Sequence, residues 1–341
     1  MSYRSFLYIG ILFWTCLVIS CKKKKNVTTA FYYWKSNFNL NVQQGDILKQ
    51  AAHNTLYLRF FDVSWKDHYH NVFPNAIVNF SHQTNGLQIT PVIFVTNKTF
   101  ENIRSEAIDS LAIHCNALVN HIAQKQKINY KNIQIDCDWT LSTRDKYFSF
   151  LKSFKKINQH FLEATIRLHQ VKYKETTGIP PIDKGVLMFY NMGKVNATLH
   201  QSNSIYNEVD AQKYITYISQ YPLHLDVALA LFSWSIQIRD GKVIQIYGNI
   251  DEKELSNTIN FKQNGNVYYS KKSFFLNGIY IKENDNFKLE KTDLNMLKKA
   301  VKQLIPYLPP QKNRTIIYYE LANLNLSEFN TQSLNQISAD F

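Results

Sequence analysis

Eight near-continuous apolar runs recur along this chain, with amphipathic stretches between several of them, and that alternation limits what it can fold into. The runs read as strands over 28–34 (TTAFYYW), 54–65 (NTLYLRFFDVSW), 87–95 (LQITPVIFV) and 132–139 (NIQIDCDW). They continue over 162–169 (LEATIRLH), 185–192 (GVLMFYNM), 223–234 (LHLDVALALFSW) and 315–321 (TIIYYEL). A strand that is apolar on both faces belongs to a parallel sheet covered on both sides. Between the third and fourth runs, residues 99–126 place Ile103, Ala107, Leu111, Leu118 and Ile122 on one face, the period of a helix. Residues 142–159 open with Ser142 as a candidate N-cap, and 211–221 and 292–308 follow the same logic. No Gly/Ser/Pro linker divides the chain. The pattern predicts one α/β domain over 28–341, a (β/α)8 TIM barrel.

One region departs from the alternation. Residues 235–250 read as a hairpin turning at RDGK, and 261–291 add short strands with Asn-Gly turns. This predicts a β-rich insertion at 235–291 between strands seven and eight, on the face where such barrels keep their active sites. A separate C-terminal β-domain is the alternative, but the return of TIIYYEL after a helix argues that the barrel closes last.

The N-terminus reads as a leader. Arg4 precedes the apolar run 6–20, which stops at LVISC. The run is short for a span of about 20 apolar residues, although an uncleaved membrane helix is the alternative. It resembles the bacterial lipoprotein signal. The resemblance implies a signal peptide at 1–20, lipidation at Cys21, a basic tether over 21–27 and a lipid-anchored place in the cell envelope. The lysines that follow would lie beside anionic headgroups or serve as a solvated spacer. The formal net charge of +13 is spread over many lysines with no Arg-rich block, so nucleic-acid binding is not read from it. Cys115 and Cys137 read as two buried thiols, with a disulfide as the alternative.

Asp136 and Asp138 pose the functional question. Side chains alternate along a strand, so Gln134, Asp136 and Asp138 point to the barrel axis while Ile133, Ile135 and Cys137 face the helices. Two inward carboxylates near a strand end need cations, hydrogen-bond donors or a ligand. The segment IQIDCDWT, followed by YFSFL, resembles the strand-four motif D-x-x-D-x-D-x-E of the family-18 glycoside hydrolases, the chitinase-like barrels. Asp136 and Asp138 match its last two aspartates, and Tyr147, Phe150 and Leu151 match the following helix. The first aspartate falls on Ile133. The catalytic acid falls on Thr140, which cannot protonate a leaving group at neutral pH. The segments VLMFYNMG and LDVALALFSW also resemble uncharacterised bacterial barrel proteins, which implies the fold and a sugar-hydrolase-like ancestry.

Other strand ends converge on the same mouth: Trp34 from strand one, Arg59, Asp62 and Trp65 from strand two, and Arg167 and His169 beside Thr165 from strand five. Strand six adds Tyr190 and Asn191, strand seven Trp234, and strand eight Tyr318 and Glu320. Indole and phenol faces stack on sugar C–H surfaces, while carboxylates and amides bind hydroxyls. The leading expectation is glycan hydrolysis, with Asp138 and either Glu320 or Asp62 as the two carboxyl groups. Asp136, Arg59, Arg167, His169, Tyr190, Asn191, Trp234, Trp34 and Trp65 would contact substrate. Each has a structural alternative: the arginines as counter-ions of Asp136, His169 as a core histidine, the tryptophans as packing. A catalytically inert barrel that binds a glycan or an envelope protein is the second expectation. No P-loop, dinucleotide fingerprint, nucleophile elbow or Cys/His array is present, so no cofactor or metal is expected.

Overall fold

The computed structural model describes residues 26–341, so the expected signal peptide, Cys21 and lysines 22–25 lie outside the described residues. Eight parallel strands close on themselves: β1 (Asn26–Tyr33), β2 (Thr55–Lys66), β3 (Gln88–Val95), β4 (Asn132–Asp136), β5 (Phe161–Arg167), β6 (Lys184–Met188), β7 (Leu225–Ala230) and β8 (Asn313–Tyr319). β1 pairs with both β2 and β8, which closes the barrel. It begins two residues before the expected domain start, because Asn26 and Val27 already pair with Asn313 and Arg314.

The alternation of inward and outward side chains makes two apolar cores. Outside the barrel, Phe31, Leu56, Leu58, Ile133, Ile135, Cys137 and Ile166 pack against the helices. Inside, Ala30, Tyr32, Tyr57, Val92, Val186, Ala228 and Ile317 fill the axis. Lower in the barrel, Lys184 bridges two buried carboxylates, Glu163 at 3.1 Å and Asp226 at 2.5 Å. The Tyr57 hydroxyl donates to Glu163 (2.9 Å), so the charges are also hydrogen-bonded. Cys115 and Cys137 are both free and buried.

The expected helix at 99–126 is in fact two, Asn97–Asn102 and Ile108–Lys125, joined through a 3-10 turn. Ile103 and Arg104 are extended at the break, and Lys146 satisfies freed carbonyls there, including Ile103 O at 2.7 Å. The helix after β4, Arg144–Ile157, takes Thr143 as its N-cap in place of Ser142. Its apolar face, Tyr147, Phe150, Leu151 and Phe154, is buried.

The insertion starts at Ser233, immediately after the barrel strand. Five antiparallel strands lie in the order Lys242–Tyr247, Ser233–Arg239, Asn286–Lys291, Val267–Ser270 and Phe261–Asn264. Asp240 and Gly241 both have positive φ (49° and 71°), as a two-residue hairpin turn requires. Trp234 therefore belongs to the insertion sheet, opposite Glu290, and not to barrel strand seven. Glu290 ties the insertion to the barrel mouth: it accepts from Trp234 Nε1 (2.9 Å), from Ser204 N (3.0 Å) and from the Ser204 hydroxyl. Lys288 balances its charge at 2.7 Å.

Candidate functional site

At the C-terminal ends of the strands lies a recess of about 200 Å³, lined by Tyr32, Trp34, Phe94, Asp136, Asp138, Thr165, Arg167, Met188, Tyr190, Asn191 and Tyr319. Asp136 is the last residue of β4 and is buried at its floor. Thr165 of β5 donates to its Oδ1 at 2.6 Å. Burial pushes the Asp136 carboxyl up from 3.8 to about 6, and the charge of Asp138 adds to this. The Thr165 hydrogen bond and the Arg167 charge pull the other way.

Asp138 lies past the end of β4. Trp139 anchors this loop: its ring is buried against Tyr147 and its Nε1 donates to Thr177 O (3.1 Å). The backbone turns there, which leaves Asp138 half exposed, with both oxygens held by Arg167: Nε to Oδ1 and Nη2 to Oδ2, each 2.6 Å. Such a fork fixes the orientation of the carboxylate. Burial opposes the Arg167 charge, but the hydrogen bonds and charge of Asp138 hold the guanidinium above its ordinary range. Thr140 is exposed and turned into its own loop, where Oγ1 shares a hydrogen bond with the Ser142 hydroxyl (2.9 Å) and its N–H donates to Thr143 Oγ1 (2.9 Å).

The walls are aromatic. Tyr190 stacks on Tyr319 with centroids 5.8 Å apart and planes 24° from parallel. Trp34 meets Tyr319 edge-on at 5.6 Å, and Tyr32 touches both. The Tyr32 hydroxyl donates to Gln134 Oε1 at 2.8 Å. Asn191 is in the left-handed region (φ 53°), a conformation that asparagine tolerates. Its N–H donates to Ile205 O, and its buried Oδ1 has no hydrogen-bond partner among the described residues.

The remaining expected site residues scatter. Arg59 bonds Asp62 (3.3 Å) and lies over the Trp34 ring at 5.7 Å, so its carboxylate partner is Asp62 and not Asp136. Asp62 is outside the recess. Glu320 is buried behind Trp34, accepting from Trp34 N (3.2 Å) and Asn323 Nδ2, and burial raises its carboxyl. His169 leaves the strand row, since Leu168–Lys172 is a helix and the imidazole is exposed on it. Trp65 lies on an extension of β2 paired with Val72, away from the lining. Tyr318 points outward and donates to Leu334 O.

Tyr32, Phe94, Met188 and Tyr319 line the recess without having been singled out by sequence. Parity was the available signal for Tyr32, which shares a strand face with Trp34. Among the described residues no group of three or more His, Cys, Asp or Glu side chains is placed to hold a metal ion.

No protein-family model matches the sequence, and no curated protein matches it. Solved structures do. The C-terminal domain of a putative chitinase from Desulfitobacterium hafniense is similar over 92% of this chain and 99% of that one, with a TM-score of 0.56 and 9% identity. The spore cortex-lytic enzyme SleL of Bacillus cereus is similar over 93% and 75%, with a TM-score of 0.53 and 12% identity. A chitinase-like agglutinin from Robinia pseudoacacia is similar over 91% and 99%, with a TM-score of 0.50 and 10% identity. The common ground is architectural: the chain folds as a closed eight-stranded parallel barrel, as these structures do.

Proposed function

We propose that the recess binds a sugar ring of a glycan and does not cleave it. Its aromatic walls suit sugar C–H faces, and Asp136, Asp138, Arg167 and Asn191 supply acceptors and donors for hydroxyls. One observation carries the choice against hydrolysis: Arg167 holds both oxygens of Asp138. The usual route to hydrolysis places two carboxyl groups across the bond, and the substrate-assisted route of the family-18 barrels still needs one free acid at the leaving group. Asp62 is paired with Arg59, Glu320 accepts from the Trp34 backbone, and the acid position of the family-18 motif is a threonine. One barrel of similar fold is described as an agglutinin, which agrees with a binding role.

A second reading rests on Asp136 alone. A buried carboxyl pushed up to about 6 is suited to general-acid work, so hydrolysis through Asp136 is the competing account. A panel of bacterial and host glycans, assayed for binding and for released products, decides between them. Binding without product, in wild type and in Asp138→Asn, is expected. Product that disappears in Asp136→Asn would establish the hydrolase, and no bound glycan would overturn both.

The same proposal includes lipidation of Cys21 and an envelope location, supported by the apolar run that stops at LVISC. Incorporation of labelled palmitate that is lost in Cys21→Ala tests it.

A further inference from the structure

The recess opens into a second, larger space. A cleft of about 780 Å³ lies between the insertion and the segments that follow β7 and β8, and Asn191 and Tyr319 line both it and the recess. Trp234 and Phe232 give the cleft an aromatic wall in contact with Tyr319.

Its charge is opposite to that of the chain. The protein is formally +13, yet the cleft holds Asp251, Glu252, Asp293, Glu320 and Glu328 against Lys253 and Lys291. Lys291 is engaged by Glu252 at 2.7 Å. Several of these carboxylates also have local work: Asp293 caps the helix at Met296 N (2.7 Å), and Glu328 accepts from Leu294 N (2.8 Å). The lining thus carries five carboxyl side chains against two lysines, an excess of acidic groups.

A separate observation points to a ligand. Thr292 is 7% exposed, lines the cleft, and its hydroxyl has no hydrogen-bond partner among the described residues. At the junction with the recess, Asn191 Oδ1 is also buried and unpartnered. A buried polar atom left unpaired costs about 1–3 kcal/mol, and two such residues line the one cleft, which marks it as a place where outside groups bind.

We propose that the cleft continues the sugar site and takes residues carrying free, positively charged amino groups. The proposal rests on the glycan reading of the recess and adds the class of glycan. Asn191 Oδ1 accepts from an ammonium or a hydroxyl, Thr292 bonds a ring hydroxyl, and the surrounding carboxylates balance the cation.

The test is a calorimetric titration of the purified protein with glucosamine oligomers and with N-acetylglucosamine oligomers of equal length. The aminated oligomer should bind at least about tenfold more tightly at low salt, and the gap should close as salt rises. The Glu252→Gln/Glu328→Gln double variant keeps shape and acceptors but removes two charges, and should lose most of that preference. Thr292→Val should bind the oligomer about three- to tenfold more weakly while melting no lower than wild type, which a purely structural threonine would not do. Equal or tighter binding of the acetylated oligomer would overturn the amino-sugar assignment and leave the recess reading intact. Binding of neither oligomer, with another glycan bound, would overturn it likewise. Failure to bind any glycan would remove both.

Discussion

Replacing Asp136 by Asn tests the electrostatics of the recess without emptying it, because the amide oxygen still accepts from Thr165. Asp136 has its carboxyl pushed from 3.8 to about 6, first by burial and then by Asp138. The sign follows from linkage. Well below pH 3.8 the group is protonated in both folded and unfolded chains and has no effect on stability. Between about pH 4 and 6 the unfolded chain ionises while the folded one holds its proton, so stability falls as pH rises. Above the folded value of about 6 the full difference is reached, about 3 kcal/mol. Asn cannot titrate. Urea unfolding of wild type and Asp136→Asn at pH 4, 5, 6 and 7 should therefore show wild type losing roughly 2 kcal/mol relative to the variant across the series, the remainder falling below pH 4. Parallel profiles would refute the claim that burial perturbs this carboxyl.

Arg167→Met should weaken glycan binding about tenfold or more while changing stability by less than about 1 kcal/mol, since Asp138 is half exposed and water replaces its partner; calorimetry and thermal melts check both halves. The same change removes a charge that lowers Asp136, so the Asp136 titration, followed by carboxyl NMR, should move above its wild-type value. Lys184→Met should cost about 3–5 kcal/mol in urea unfolding, because it leaves Glu163 and Asp226 buried without their cation. Cys115, with its thiol pushed up to about 12 by burial, and Cys137, raised in the same way, should resist a thiol reagent until the protein is denatured, as read by peptide mass mapping.

The eight strands were legible because a sheet buried on both faces leaves continuous apolar runs. The facing of β4 was legible too: Gln134 and Asp136 point inward and Ile133 and Ile135 outward, as alternation requires. Strand ends were not. Trp139 was read as strand, but its ring packs against Tyr147 and draws the backbone away after Asp136. Trp234 was read onto barrel strand seven because the apolar run passes through Leu231 and Phe232 without a break, whereas the backbone there changes partners and pairs with the insertion. His169 failed in the same manner, since a helix begins one residue before it. On β8 the charge of Glu320 suggests an inward residue, yet Ile317 sets the parity and Tyr319 faces the site. The Lys184, Glu163 and Asp226 cluster joins three strands distant in sequence, and no local pattern announces it.

The recess at the barrel mouth is proposed to hold a sugar. A crystal structure of the protein with the tightest glycan from the panel tests it most directly. A ring seated against the Tyr190–Tyr319 pair is expected, with hydroxyls on Asp136 or the Asp138–Arg167 fork and the glycosidic bonds intact. A glycan bound elsewhere with the recess empty would contradict it, as would cleaved product lying across Asp136.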